Sequence, residues 1–561
     1  MADNNGKRQR ALQRWQQLKN ERTSWWTHWQ EITTYVLPRS GRYFRQDRDK
    51  GNRRNNNIYD NTGIRAVRVL AAGLMGGATS PARPWFRLGT PDPDMNDQQP
   101  VKIWLDDVSR RMHTVFQKSN TYRALHQMYG ELGAFGTAAS IILPDFENVI
   151  HHYPLTIGEY GIATDAQGKV CTIYREFEMP VSALVKEFGI ENCSQTVQSL
   201  FGNNGAGLDQ WIPLIHAIEP RADRDRNPRK KDSTNMAWSS LYFELNGTGD
   251  TILRESGFKQ FPAVCPRWDV AGGNIYGNSP GMEALGDIKQ LQHEQLRKAN
   301  AIDYQSNPPL QVPTSMKGQE VNRLPGGVTY MDAGAAAGVI KNAFDVNLDL
   351  EDLLADIRDV RGRIDQAFFV DMFMMLDSQT NPNMTATEVA ERHEEKMLMI
   401  GPVLERLSNE LLYPLIETTF THMLEAGLIP PAPPAMQGMP LNVELIGILA
   451  QAQRAIGTNS VDRFVQSMTA VAQLKPEVLD NFDPDQWADT YSDMLGVNPK
   501  LIVPTDQVAA MRAAKAKAQA AQAQAAAMQQ QSQTAKNLAQ APTQGGQSNS
   551  LQDMMNQFSQ T

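Results

Sequence analysis

Residues 377–423 read DSQTNPNMTATEVAERHEEKMLMIGPVLERLSNELLYPLIETTFTHM, a polar loop followed by one long helical pattern. The loop is rich in asparagine and contains Pro382, a residue that resists helix formation on either side. The next residues, TATE, fit a capping box with Thr385 as the N-cap and Glu388 at N3. Apolar positions then recur at spacings of three and four, which predicts a long amphipathic helix. They are Val389, His393, Met397, Ile400, Leu404, Leu407, Leu411 and Leu415.

Two further features belong to this helix. Gly401-Pro402 removes one backbone donor in mid-pattern, so we expect a kink there rather than a stop. Arg406 and Glu410 are opposite charges four residues apart, and we expect them on the solvated side. The helix is too long for a small globular domain and too polar for a membrane. Its periodicity alone predicts a structural strut.

Length and composition limit the class of protein. A chain of 561 residues can bury a large core, which predicts roughly two to four domains. It has no apolar run of about 18 residues and no apolar segment behind its charged N-terminus, so we expect a soluble, unexported protein without membrane insertion. Cys171, Cys193 and Cys265 are far apart and form no CxxC. This usage argues against a disulfide framework and a zinc site and predicts a reducing compartment.

Charge is spread unevenly along the chain, whose net charge is −8. Residues 1–54 carry 13 Lys/Arg against 5 Asp/Glu, whereas residues 348–396 carry 5 against 12. An acidic helical middle is a poor tight binder of DNA, because neutralised phosphates supply most sequence-independent affinity. Such a surface would suit DNA that has to slide past it.

The rest of the chain divides into helical and mixed regions. Residues 136–270 contain short β-like runs separated by Gly, Asn, Asp and Pro, which predicts a mixed α/β domain. From residue 506 an Ala/Gln-rich segment predicts a helix, and from about residue 541 the composition predicts disorder. The other helices are predicted over residues 7–37, 61–76, 97–135, 280–306, 348–376, 441–457, 461–473 and 484–495.

The N-terminal helix is the basis of an alternative function. Its tryptophans, among them Trp15, Trp25, Trp26 and Trp29, lie beside arginines and could stack on nucleic-acid bases. They keep helical spacing, which favours packing anchors. A nucleic-acid-binding structural protein that uses this basic, Trp-rich N-terminus stays the alternative.

A hydrolase is a third hypothesis, because residues 277–281 read GNSPG and match the GxSxG nucleophile elbow. That chemistry needs a backbone N–H after the serine, and Pro280 has none. A helix start fits better, with Ser279 as N-cap, Pro280 at N1 and Glu283 in the first turn. The sequence therefore predicts no esterase here.

Other catalytic motifs are absent from the sequence. It contains no GxxxxGK[ST], and in His393-Glu394-Glu395-Lys396-Met397 a methionine stands where HExxH needs its second histidine. We therefore expect no enzyme activity, no bound metal and no cofactor.

One helix end is apolar on nearly every side. Residues 368–376, FFVDMFMML, close the helix predicted over 348–376. A solvated monomer would not tolerate such an end, so it has to pack within the subunit or against another. The residues concerned are Phe368, Phe369, Phe373, Met374 and Met375.

Four motifs in order resemble the portal, or head-to-tail connector, proteins of short-tailed phages, over roughly residues 15–425. The order helix, insert, helix, polar loop and long helix resembles them too. The motifs are Trp25-Trp26 with Tyr35-Val36-Leu37-Pro38, Ser80-Pro81 with Pro84-Trp85-Phe86-Arg87-Leu88, Tyr276-Gly277-Asn278-Ser279-Pro280-Gly281, and Met384-Thr385-Ala386-Thr387-Glu388-Val389.

The fold class that this resemblance implies is α+β, mainly α-helical: a portal-type subunit with wing, stem, clip and helical crown that assembles into a ring. Carried over by segment, the regions are 1–279 as the wing, with N-terminal helices and a mixed α/β part; 280–307 as stem helix 1; 308–347 as the clip; 348–376 as stem helix 2; 377–386 as the channel (tunnel) loop; 387–439 as the long kinked wing helix and linker; 440–505 as the helical crown; and 506–561 as an Ala/Gln-rich helix, a candidate barrel, with a disordered tail.

The resemblance also implies function and partners. It implies a ring of about twelve subunits at one capsid vertex, through which double-stranded DNA is packaged and ejected. The implied partners are further copies of the chain, double-stranded DNA bound without sequence preference, the terminase large subunit, the major capsid and scaffolding proteins, and tail adaptor or nozzle proteins. The implied location is the virion, with the host cytoplasm during assembly.

The channel loop is expected to touch DNA weakly. Its side chains are neutral hydrogen-bonding groups with acidic neighbours, whereas a basic loop would hold DNA through counterion release. The alternative is an ordinary connection between helices. The residues are Gln379, Thr380, Asn381 and Asn383 in the loop, with the acidic Asp371 and Asp377 beside it.

Overall fold

The computed structural model describes most of the chain up to residue 447 and one helix beyond it. The described residues are 6–43, 57–306 without 97, 203–206, 223–225, 228, 231 and 248–250, then 310–311, 341–342, 351–375, 399–447 without 437, and 505–540, with isolated positions at 449, 468, 484, 486 and 487. The chain forms two units, one of residues 1–91 with 104–456 and one of residues 92–103 with 457–561.

Helices dominate both ends of the chain. The α-helices are α1 (Lys7–Glu21), α2 (Thr23–Tyr35), α3 (Thr62–Ala78), α4 (Pro93–Asn96), α5 (Gln99–Lys118), α6 (Thr121–Phe135), α7 (Val181–Phe188), α8 (Gln195–Gly202), α9 (Pro280–Glu283), α10 (Leu285–Ser306), α11 (Glu351–Ala367), α12 (Val370–Met375), α13 (399–425, with a π-helical segment at Ser408–Leu412) and α14 (Thr505–Gln540). Single 3₁₀ turns lie at Ile190–Asn192, Ser233–Asn235 and Pro434–Met436.

The strands lie mainly between α6 and α9, and all their pairings are antiparallel. They are β1 (Phe86–Gly89), β2 (Ala139–Asp145), β3 (Val149–Leu155), β4 (Tyr160–Thr164), β5 (Val170–Pro180), β6 (Trp211–Pro220), β7 (Trp238–Glu244), β8 (Arg254–Phe258), β9 (Ala263–Val264), β10 (Leu310–Gln311), β11 (Lys341–Asn342) and β12 (Asn442–Leu445). They form a five-stranded sheet in the order β4-β5-β6-β7-β8, a three-stranded sheet β3-β2-β9, and the pairs β1-β12 and β10-β11.

The five-stranded sheet is covered on both faces, and its alternating side chains explain why. Ile215 of β6 points to the face where α1 packs, and Trp15 of α1 stacks on Tyr174 with 6.3 Å between ring centroids. Leu214, one residue earlier, belongs to the opposite face, which α7 and α8 cover. Successive strand residues point to opposite sides, so a sheet buried on both faces carries apolar side chains at consecutive positions.

The central helices pack closely because glycine removes a side chain at their contact. A Cβ on Gly133 of α6 would lie 2.6 Å from Cδ2 of Leu70 in α3, too short for any side chain without movement. Leu70 itself is fully buried. Glycine at this position therefore allows α3 and α6 to approach each other in the core of the larger unit.

Two helices predicted as continuous are interrupted by buried polar contacts. The helix predicted over 7–37 breaks at Arg22, whose buried guanidinium donates to the Tyr160 carbonyl at 2.5 Å. The helix predicted over 97–135 breaks before Asn120, whose amide donates to the His152 carbonyl at 2.8 Å and accepts from its N–H at 2.9 Å. In both cases a side chain bonds a strand backbone, and apolar periodicity does not report such a bond.

The predicted helical crown, 440–505, needs a correction at its start. Residues 442–445 were expected within a helix over 441–457, but they form β12 and pair with β1. Asn442 and Pro440 disfavour helix, and Arg87 of β1 binds Glu444 with 2.6 Å between Nε and Oε2. Most of the remaining crown, like the clip and the tail from residue 541, lies outside the described residues.

The long helix runs without a stop through Gly401-Pro402, as predicted, and contains a π-helical segment at Ser408–Leu412. Pro414, two residues after this segment, lacks an N–H for the Glu410 carbonyl. A wider helical turn is a common way to accommodate such a defect.

In the described part of the chain, no helix has both the length and the apolar composition that crossing a membrane requires.

Candidate functional site

An antiparallel helical hairpin is built from α10 and α11. Asp287 of α10 meets Arg363 of α11, with 3.1 Å between Oδ1 and Nη1. Seven residues further along α10, Glu294 faces Asp356, which lies seven residues back along α11. Beyond the helices the pairing continues in β10 and β11, where Leu310 is opposite Asn342. The described parts of the hairpin are therefore α10 with β10 and α11 with β11, and residues 312–340 lie outside the described residues.

The two helices of the hairpin share an apolar seam near their base. Ile288 of α10 lies close to α3, since a Cβ on Gly63 would be 3.0 Å from its Cδ1. At the other end of α10, Ile302 and Tyr304 are 44% and 52% exposed in the single chain. The base is thus packed, whereas the distal end of α10 leaves apolar surface exposed. The buried members of the seam are Leu285, Ile288, Leu291, Ile357, Val360 and Ile364.

Asp60 fastens both hairpin helices to the start of α3. Its carboxylate accepts from Gln295 of α10 at 3.1 Å and from Nη2 of Arg361 of α11 at 2.6 Å. Its other oxygen accepts from the N–H of Thr62 at 2.8 Å. Burial opposes the charge on this carboxyl, but the hydrogen bonds from Thr62 and Arg361 outweigh it and lower its pKa.

Gln292 completes this junction through the backbone. Its side-chain oxygen accepts from the N–H groups of Tyr59 and Asp60 at 2.7 and 2.8 Å, and its amide donates to the Asp60 carbonyl at 3.0 Å. Buried polar groups need such partners. We call Asp60, Gln292, Gln295 and Arg361 the hairpin anchor.

The helix predicted over 348–376 is not continuous, which corrects the sequence interpretation. Phe369 has φ of 55°, in the left-handed region that a bulky side chain rarely adopts, and it separates α11 from α12. Its ring lies 6.1 Å from that of Trp268. Phe368 and Phe373 are buried within the chain, and a Cβ on Gly73 of α3 would lie 2.2 Å from the Phe373 ring.

The other predicted site residues are distributed differently. Met374 is 53% exposed, and Asp371 at the start of α12 is exposed as well. The side chain of Met375 lies outside the described residues. The predicted channel-loop residues and the acidic residue beside them also lie outside the described residues, so their predicted roles stay predictions. They are Asp377, Gln379, Thr380, Asn381 and Asn383.

Ser279 has a structural role that excludes the hydrolase. It is buried at the N-cap of α9, where its hydroxyl oxygen accepts from the Met282 N–H at 3.1 Å. The same hydroxyl donates to the Ala134 carbonyl at 2.8 Å. A buried, doubly bonded hydroxyl is not available as a nucleophile, so the prediction of a helix start is confirmed.

The N-terminal tryptophans pack against other aromatic rings of the subunit: Trp25 and Trp26 are partly buried, with 6.1 Å from Trp25 to Trp29 and 5.2 Å from Trp26 to Tyr43 between ring centroids. Trp15 and Trp29 are buried, and Trp29 packs edge-on against Tyr276 at 5.0 Å between centroids. The nearby Arg8 is buried and donates to the carbonyls of Glu244 and Gly247 at 3.1 and 2.7 Å. These contacts are internal, as the packing interpretation predicts.

A buried ion pair joins the sheets to the long helix. Nη2 of Arg267 lies 2.6 Å from Oε1 of Glu410, and its N–H and Nε also donate to Oε2. Glu410 was expected to pair with Arg406 on a solvated face, but that contact is longer, at 3.7 Å. Glu410 lies within the π-helical segment Ser408–Leu412. Sequence reasoning missed this pair, because no local spacing joins residues 143 positions apart.

The described residues contain no group of three or more His, Cys, Asp or Glu side chains that could hold a metal ion. The geometry is that of an anchored helical scaffold.

Comparisons with known proteins give one family and several relatives. The family of bacteriophage head to tail connecting proteins matches residues 8–503. A probable portal protein of Bordetella phage BPP-1 is 60% identical over 552 residues, 98% of each chain. The portal protein of Salmonella phage epsilon15 is 47% identical over 537 residues, 96% of each chain. A solved chain from the neck of an empty gene transfer agent particle is 12% identical, with a TM-score of 0.34, 79% of this chain covered and 90% of that one.

Proposed function

This chain belongs to the family of bacteriophage head to tail connecting proteins, and we propose that it forms the ring through which double-stranded DNA enters and leaves the capsid. Family membership makes it a structural connector of the phage particle and not an enzyme, as the sequence predicted. The ring of about twelve subunits and its DNA channel are the proposal.

The observation that carries the proposal is the anchored hairpin. Its base is fixed by Asp60 and Arg361, while Ile302 and Tyr304 at its far end are exposed in the single chain. A hairpin with an apolar distal surface and a rigid base is suited to pack against copies of itself around an axis. We assign α10 and α11 to the stem, with α12 leading to the channel loop.

Further regions follow from this assignment. Residues 308–347 between the stem helices would form the clip, outside the capsid, and dock the terminase large subunit and later the tail adaptor or nozzle proteins. The wing, residues 1–279 with 387–439, would meet the major capsid and scaffolding proteins. Assembly would take place in the host cytoplasm, and the finished ring would occupy one vertex of the virion.

The alternative, a nucleic-acid-binding protein that uses the N-terminal tryptophans, is not favoured. Trp15 and Trp29 are buried against the subunit, so neither can stack on a base without unfolding α1 or α2.

Light scattering coupled to size-exclusion chromatography tests the proposal, together with negative-stain images of the purified protein. We expect a species of about a dozen chains with a central hole. A monomer, or an assembly without a hole, would overturn it.

A further inference from the structure

Two carboxyl groups face each other across the hairpin, beyond the Asp287–Arg363 pair. Glu294 of α10 is only 6% exposed. Its Oε1 accepts from the Gln290 amide at 2.6 Å. Its Oε2 is buried and has no hydrogen-bond donor among the described residues. The register set by the Asp287–Arg363 pair places Asp356 of α11 opposite Glu294, two turns away from that pair on each helix, so that the two carboxyl groups lie side by side.

The cations of the hairpin are engaged elsewhere. Arg363 attracts Glu294, but its own short contacts are to Asp287 and Asp359, at 3.1 and 3.3 Å. Arg361 binds Asp60. Lys298, one turn along α10, does not satisfy the buried Oε2 of Glu294, which has no partner among the described residues. Two ionised carboxylates would therefore meet with one buried oxygen unsatisfied, a costly arrangement.

A single shared proton removes this conflict. We propose that Glu294 and Asp356 share one proton in a carboxyl–carboxylate hydrogen bond, a latch that joins α10 to α11 and opens when the proton is lost. The proton exchanges with water, so no other reactant is needed. When it leaves, two like charges face each other at the point where one hydrogen bond had joined the helices.

The direction of the pH dependence follows from the environment of Glu294. Burial raises its pKa above the ordinary value of 4.5, the Gln290 hydrogen bond opposes this, and Asp356 adds to the rise. A carboxyl with a raised folded-state pKa stabilises the hairpin fully below its ordinary value, and this contribution is lost as pH rises through the folded value. The latch thus weakens toward alkaline pH. It depends only on the hairpin and goes beyond the channel function.

Hydrogen–deuterium exchange of the full-length protein, followed by mass spectrometry at a series of pH values, tests the latch. After correction for intrinsic exchange, the opening of α10 and α11 should rise with pH by up to about tenfold per unit, the limit for one linked proton. In Glu294→Gln a permanent amide donor replaces the shared proton. This variant should therefore keep its protection at all pH values.

Two further variants sharpen the result. Asp356→Asn supplies a donor from the opposite helix and should also remove the pH dependence. Because Asp356 is exposed, this change should not impair folding. If Glu294→Gln fails to fold, the pH dependence of exchange in Asp356→Asn therefore tests the latch on its own. Asp303→Asn, an exposed change on the same helix, should behave like the unmodified protein. The proposal fails if the unmodified hairpin shows no pH dependence, or if Glu294→Gln and Asp356→Asn both keep it.

Discussion

Nη2 of Arg361 lies 2.6 Å from Oδ2 of Asp60, a residue 301 positions earlier in the chain. This contact joins the second helix of the hairpin to the start of α3, and Gln292 and Gln295 join the first helix to the same point. One buried acidic residue therefore connects both helices of the hairpin to the start of α3.

Asp60→Ala should lower the free energy of unfolding by about 2–4 kcal/mol, because Arg361, Gln295 and Thr62 would lose their acceptor. Urea denaturation followed by circular dichroism measures the loss. Asp365→Ala is the control, since its partner Arg65 is half exposed and such pairs contribute about 0–1 kcal/mol. Equal losses in the two variants would show that Asp60 anchors nothing in particular.

Gly73→Ala should destabilise the protein by about 1–3 kcal/mol through overpacking. The added Cβ would lie 2.2 Å from Cγ and 2.8 Å from Cβ of Phe373, atoms near the backbone that a rotation of the ring cannot move away. Gly76→Ala, on the same helix, meets nothing within 4 Å. The control should be neutral or stabilising by up to about 1 kcal/mol. Thermal unfolding compares them, and similar melting temperatures would contradict the packing of α12 on α3.

Much of the fold could be predicted from periodicity. α3 and α10 lie close to their predicted ranges, because one-sided burial leaves a repeat of 3.6 in the sequence. α14 was predicted from its Ala/Gln-rich composition, and the region predicted as mixed α/β, 136–270, contains β2 to β9. β6 was missed even though Ile215 and Leu214 are both buried, because a strand covered on both faces carries no alternation.

The candidate site was less predictable, since its contacts are not local. Nothing near Asp60 indicates Arg361, and nothing near Arg267 indicates Glu410. The break at Phe369 was also missed, because tertiary packing of Phe368 and Phe373 outweighs the helical preference of an apolar run. The family could still be predicted without these long-range contacts, because it was indicated by the order of the four sequence motifs.

Glu131→Gln should remove one component of the pH dependence of stability. Glu131 is buried and accepts from Thr156 at 2.8 Å and from the Ile157 N–H at 3.3 Å. Burial raises its pKa from 4.5 to about 7, against the opposing effect of these hydrogen bonds. Its contribution, on the order of 2–4 kcal/mol, is therefore complete below pH 4.5 and is lost as pH rises through about 7.

Urea denaturation between pH 5 and about pH 8 measures this contribution. The difference between the unmodified protein and Glu131→Gln isolates it from the buried histidines, which titrate in both. The exposed Glu147→Gln serves as control. If the slope against pH is the same in all three proteins, Glu131 is ionised throughout this range.

Met374→Asp should block ring assembly while the subunit stays folded. Met374 is 53% exposed in the single chain, so the change costs little within it, whereas a buried carboxylate between subunits would be strongly unfavourable. Light scattering gives the mass and circular dichroism the fold. Phe146→Asp, at the fully exposed β2–β3 turn, should still form rings. Rings of normal mass from Met374→Asp would place this residue outside the interface.

The channel loop, residues 377–386, should let DNA slide because it carries no positive charge. In the sequence it lies between α12 and the long helix, and Gln379, Thr380, Asn381 and Asn383 offer only neutral hydrogen-bonding groups. Replacing Asn381 and Asn383 with Lys adds two phosphate-binding charges per subunit, and each contact strengthens binding through counterion release. We expect less DNA packaged per head and slower ejection, with both effects reduced at high salt. Asn381→Gln with Asn383→Gln, which keeps the charge, should package normally. If rings assemble and the lysine variant packages and ejects DNA like the unmodified protein, the loop does not face DNA.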